Sequence, residues 1–127
     1  MKPLTREWVD KAEGDRNTAR RELRARKNPN FDAACFHAQQ CAEKYLKALL
    51  QESGLAITRT HSLDALARPL IAAASVSSLL PALRTLSAYA VETRYPGKNA
   101  NRSLAREAVL HMERVRRGIR GILKLPK

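Results

Sequence analysis

The chain has 127 residues, 24 Lys plus Arg against 12 Asp plus Glu, and a formal charge of +12. That length suits one domain with a single core, and the charge excess favours an anionic partner: a nucleic acid, a nucleotide or an acidic protein. No stretch nears the ~20 apolar residues of a membrane span, and MKPLTREWVDKAEGD carries charges where a secretory leader needs an apolar run, so the protein is expected in the cytoplasm.

Thr5 is placed to cap a first helix running to about Ala25. Its apolar stripe is Trp8, Ala12, Ala19 and Leu23, and Asp15 falls on the same face. An acid there is costly unless it is paired, so Asp15 reads either as a rim residue or as an anchor for a basic group elsewhere. Arg16, Arg20, Arg21, Arg24, Arg26 and Lys27 make the end of this helix basic, partly because cations suit the negative end of the helix dipole. Asn28-Pro29-Asn30 then signals a turn.

The central helix spans Phe31 to Gly54. Phe31, Ala34, Ala38, Cys41, Tyr45 and Ala48 recur at steps of three and four, and Cys35, Ala42 and Leu49 widen the stripe to the breadth of a bundle core. His37, Gln40, Lys44, Lys47 and Gln51 repeat the rhythm in polar residues on the far side. Gly54 is placed as a left-handed cap. Cys35 and Cys41 sit about 9 Å apart along this helix, too far for a disulfide, and read as two buried thiols in a reducing compartment.

Beyond the connection LAITRTHS, in which Thr60 or Ser62 caps the next helix, Leu63, Leu66 and Leu70 form an apolar edge that Pro69 bends or interrupts. Residues 75–78 mark a break. LLPALRTLSAYAVETRY reads as a fourth helix with Leu79, Leu83, Leu86 and Ala90 inward, ended by Pro96-Gly97. Asn101 caps the last helix, whose stripe of Ala105, Ala108, Met112, Val115, Ile119 and Ile122 runs on to Pro126. No strand pattern competes. The sequence therefore predicts an all-α, up-and-down bundle of about five helices, three long and two shorter.

Three blocks together resemble the HEPN family: EWVDKAEGDRNTARREL, FHAQQCAEKYLKALLQESG followed by THSLDAL, and ETRYPGKNANRSLAREAV. They occur in that family's order and span nearly the whole chain. The resemblance implies a bacterial or archaeal helical bundle, usually a homodimer, often encoded beside a minimal nucleotidyltransferase with which it acts as a toxin-antitoxin-like pair. Some members are metal-independent ribonucleases with an arginine and a histidine separated by four to six residues. Others lack that motif and serve as nucleotide-binding or partner-binding modules.

Metal-independent RNA cleavage needs a base for the 2′-hydroxyl, an acid for the leaving oxygen and a cation for the developing phosphorane. The one arginine-to-histidine spacing of that kind is Arg106-Glu107-Ala108-Val109-Leu110-His111. Glu107 stands where the family favours Asn, Asp or His, and a carboxylate there would partly neutralise Arg106. Arg106 and His111 are thus the candidate catalytic pair of a ribonuclease, the alternative reading. The leading reading is a non-catalytic HEPN bundle binding a nucleotide or RNA through a basic groove. Its candidate ligand residues are Arg94 with Tyr95, in the connection before the last helix, and His37 with Lys44 on the central helix. Arg94 has a structural alternative, pairing with an inner acid such as Asp15 or Glu43.

No metal-ligand spacing, phosphate loop, serine-nucleophile turn or dinucleotide fingerprint is present, so no cofactor is implied. The aromatic residues, Trp8, Phe31, Phe36, Tyr45, Tyr89 and Tyr95, offer no evident stacking platform for single-stranded RNA. Long helices without a compact recognition unit argue against a helix-turn-helix repressor.

Overall fold

A computed structural model describes residues 1–72, 74–92 and 96–127, apart from the side chains of 74, 75 and 90–92. Six helices follow in order: α1 (Pro3–Arg24), α2 (Phe31–Glu52), α3 (Leu63–Ala67), α4 (Ala74–Ser77), α5 (Leu80–Glu92) and α6 (Arg102–Ile122), with a single 3-10 turn at Arg68–Leu70 after α3. The three long ones have 22, 22 and 21 residues. No strand occurs among the described residues. Helix α2 is the centre, packed against α1, α6, α5 and α3.

The predicted stripes form the core. Ala34, Cys35, Ala38, Cys41, Ala42, Tyr45 and Ala48 of α2 are fully buried, as are Ala105, Ala108, Met112, Val115 and Ile119 of α6. Small residues along α2 let α1 and α6 approach closely. Substituting Ala38→Leu should therefore overpack the bundle and cost about 1–3 kcal/mol, read by chemical denaturation. Burial lifts the Cys35 thiol to about 11 and Cys41 higher still, so neither is a nucleophile at neutral pH.

The helix ends follow the local signals at some positions and depart from them at others. Ser62 Oγ accepts from the Ala65 amide, and Asn101 Oδ1 from that of Leu104, so both cap as expected. Gly54 has φ +71°, and the amides of Gly54 and Leu55 bond back to Gln51 and Leu50 in a Schellman motif. Thr5, in contrast, is not a cap. Helix α1 starts at Pro3, whose missing amide costs nothing in the first turn, and Thr5 is buried inside it, donating its hydroxyl to Glu52 at 3.0 Å. Residues 75–78 are not a plain break, because Ala74–Ser77 makes one helical turn. Pro69 does end α3, in the 3-10 turn.

Helix α6 stops at Ile122 rather than reaching Pro126. Lys124 adopts φ +59°, and the amides of Lys124 and Leu125 close a second Schellman motif on Gly121 and Arg120. A side chain is crowded in that left-handed conformation. Lys124→Gly should raise stability by about 0.5–1 kcal/mol, the relief of crowding less glycine's extra freedom when unfolded. The shift in the urea midpoint measures it.

Candidate anion-binding surface

The placement of the acids decides where the basic surface lies. Helices α1 and α6 run antiparallel, locked by two bidentate pairs: Arg16 donates to Glu113 at 2.6 and 2.9 Å, and Arg116 donates to Glu13 at 2.8 Å twice. The Tyr45 hydroxyl of α2 also donates to Glu13, at 2.7 Å, and itself accepts from Arg120 at 3.0 Å. Burial alone would raise the Glu13 carboxyl. The hydrogen bonds from Arg116 and Tyr45 and the charges of Arg116 and Arg120 overcome that and hold it at about 2. Glu113 is likewise lowered, chiefly by its hydrogen bonds from Arg16.

Other acids are engaged too. Asp15 is 8 % exposed and takes both His37 Nδ1, at 2.7 Å, and Lys44 Nζ, at 2.5 Å. Glu43 is 2 % exposed and takes Lys47 Nζ and His61 Nδ1. Asp32 accepts the Ala100 amide, Glu22 that of Asn30, and Glu107 the Tyr89 hydroxyl.

Several bases make no bond to a carboxylate, although Arg20 lies near enough to Glu113 for its charge to help lower that group. Arg20, Arg21, Arg24, Arg26 and Lys27, with Arg106 near the start of α6, make no side-chain hydrogen bond or ion pair among the described residues, and the same holds for bases away from this end, such as Arg6, Arg59 and Arg68. Arg20, Arg21 and Arg24, with Asn17 and Ala25, line an open groove of about 540 Å³ on α1. Arg102 donates to the Leu23 carbonyl at 3.2 Å and lies over the Phe31 ring. The antiparallel register set by that bond and by Arg16–Glu113 brings the start of α6, with Arg106, alongside this end of α1. The result is a cluster of guanidinium groups on two rigid helices, suited to phosphate.

The sequence candidates fall as follows. His37 and Lys44 come together, but on Asp15 rather than on an open polar face, so the buried carboxylate already engages both. Asp15 is thus an anchor for basic groups, and Lys47 lies over the Trp8 ring, 5.4 Å from its centroid. Arg94 and Tyr95 lie outside the described residues, as does the side chain of Ala90. Both acids considered for Arg94, Asp15 and Glu43, hold other bases. Arg106 and His111 occupy one unbroken helix, about 140° apart around its axis. Arg106 faces outward, whereas His111 shares the flank of Glu107 and Gly118, which meet Tyr89 and Leu79.

The α1 groove does not stand out in the sequence, where part of its basic run already has a reason in the helix dipole. Among the described residues no group of His, Cys, Asp or Glu could hold a metal ion, and no helix is long and apolar enough to cross a membrane.

A sequence profile described as HEPN domain matches residues 5–122. A crystal structure of an archaeal HEPN homologue superposes with a TM-score of 0.71 at 26 % identity, covering 97 % of this chain and 99 % of that one. No curated protein matches.

Proposed function

Because the chain belongs to the HEPN domain family, we propose that it is a non-catalytic module that binds RNA or a nucleotide and acts as a dimer beside a minimal nucleotidyltransferase, in a toxin-antitoxin-like pair. The observation that carries the binding reading is the segregation of charge. The buried and half-buried acids are consumed in holding helices together, whereas Arg20, Arg21, Arg24 and Arg26 gather without a bonded carboxylate at the end of α1, with Arg106 near the start of α6. Successive arginines on one helix face are about 5–6 Å apart, a spacing that lets them follow a phosphate backbone. The partner rests on the family resemblance.

The divergence of Arg106 and His111 around α6, and the carboxylate of Glu107 between them in sequence, favour binding over cleavage. The test is incubation of the purified protein with single-stranded RNA in EDTA. The RNA should be retained in a gel shift and remain intact. Cleavage abolished by Arg106→Ala or His111→Ala would instead establish the ribonuclease.

A further inference from the structure

The outer face of α6 carries a second surface that the anion-binding reading leaves unused. Leu110, Arg114 and Arg117 recur at steps of four and three and so share one face. Leu110 is 63 % exposed, more than any other large hydrophobic residue described. With Leu79, Glu113 and Gly118 these residues line an open groove of about 490 Å³. A Cβ on Gly118 would come within 3.0 Å of the Leu79 side chain, so the glycine lets α6 rest on Leu79, an apolar residue of the groove. The groove's carboxylate, Glu113, is held by Arg16. Arg114 and Arg117 have no hydrogen bond or ion pair among the described residues.

We propose that this groove docks an acidic amphipathic helix of a partner protein. Its apolar side chain sits between Leu79 and Leu110, and its carboxylates meet Arg114 and Arg117. Charge and polarity choose among the occupants. A nucleic acid would satisfy the arginines but would set phosphates or sugars against Leu110, with no aromatic ring in the groove to stack a base. A second copy would set Arg114 and Arg117 against a chain that itself carries +12, with few carboxylates left to meet them. An acidic helix satisfies both halves of the groove: apolar anchors three or four residues apart fill the floor while carboxylates on the same face form charge-assisted bonds. The inference rests on the partner-binding half of the reading above and not on the α1 groove.

The probe is a fluorescein-labelled peptide of Leu, Glu and Ala with leucines and glutamates along one helical face, compared with a scrambled peptide of the same composition. The patterned peptide should bind at least about tenfold more tightly, an anchor effect that charge alone does not give. Leu110→Ser, and separately the pair Arg114→Gln and Arg117→Gln, should each weaken it by about tenfold or more while leaving the thermal midpoint and RNA retention unchanged. Equal affinity for the two peptides would overturn the proposal. So would loss of RNA retention in the arginine pair, which would make nucleic acid the occupant. A wild-type dimer dissociated by Leu110→Ser in sedimentation would overturn it in favour of a second copy. Loss of RNA retention in the wild type with patterned-peptide binding intact would remove the α1 reading and leave this one standing.

Discussion

Replacing Glu13 with alanine should lower the thermal midpoint by about 10 °C, the largest effect expected of any single surface-adjacent substitution. The carboxylate accepts from Arg116 and Tyr45 and faces Arg120. Those side chains cannot turn to water: Tyr45 is fully buried, and the side chains of Arg116 and Arg120 are 12 % and 13 % exposed. Removing the acceptor leaves the partly desolvated Arg116 guanidinium without its bonded partner and the Tyr45 hydroxyl without an acceptor for its proton, at a cost of about 2–3 kcal/mol, which converts to that midpoint shift for a domain of this size. Asp64 is the contrasting control. It meets Arg84 at 3.4 Å with both side chains about half exposed or more, so Asp64→Ala should cost less than about 0.5 kcal/mol.

The same network fixes the pH dependence. Glu13 is lowered in the fold from 4.5 to about 2. A depressed carboxyl stabilises the fold fully above its unfolded value and loses that contribution as pH falls through the folded one. Wild-type stability should therefore hold down to about pH 5 and fall steeply between there and pH 2, with Glu113 adding to the slope. Melting curves of wild type and Glu13→Gln across that range check the sign: the variant should start lower and decline less.

The second large effect concerns binding. Substituting Arg20→Gln, Arg21→Gln and Arg24→Gln together should weaken single-stranded RNA binding by about 100-fold at low salt, on ~1 kcal/mol for each charge-assisted hydrogen bond to phosphate that is removed. Glutamine keeps the helix propensity of arginine, and none of the three residues bonds a carboxylate, Arg20 acting on Glu113 only through its charge, so the melting temperature should move little. Arg16→Gln makes the reverse case. It breaks the pair with Glu113 and should cost stability while leaving RNA affinity within a few fold, because that guanidinium is committed inside the bundle.

Long amphipathic helices were legible because a broad stripe such as Ala34 to Ala48 has one reading, and its burial is complete. What periodicity could not supply was the partner of each polar residue. His37 and Lys44 lie on the polar side of α2 by angle alone, yet a central helix has neighbours around most of its circumference, and α1 presents Asp15 to both. Thr5 looks like a cap because its type fits, but Pro3 is the stronger signal and moves the cap three residues back, to Lys2. One signal for the α1–α6 lock is present: Glu13-x-x-Arg16 and Glu113-x-x-Arg116 complement each other when the two helices run in opposite directions. Sequence separations of about a hundred residues conceal it. The basic groove is hidden for a related reason, since a free arginine and a paired one look alike until the carboxylates have been assigned.

The salt dependence of RNA affinity tests the central claim most directly, namely that unpaired arginines at the end of α1 contact phosphates. The logarithm of the wild-type binding constant should fall linearly with the logarithm of salt concentration. In the Arg20, Arg21 and Arg24 triple-glutamine protein the line should be shallower by about 2, close to 0.7 for each of three phosphates no longer neutralised. Parallel lines for the two proteins, or a wild-type affinity indifferent to salt, would contradict it.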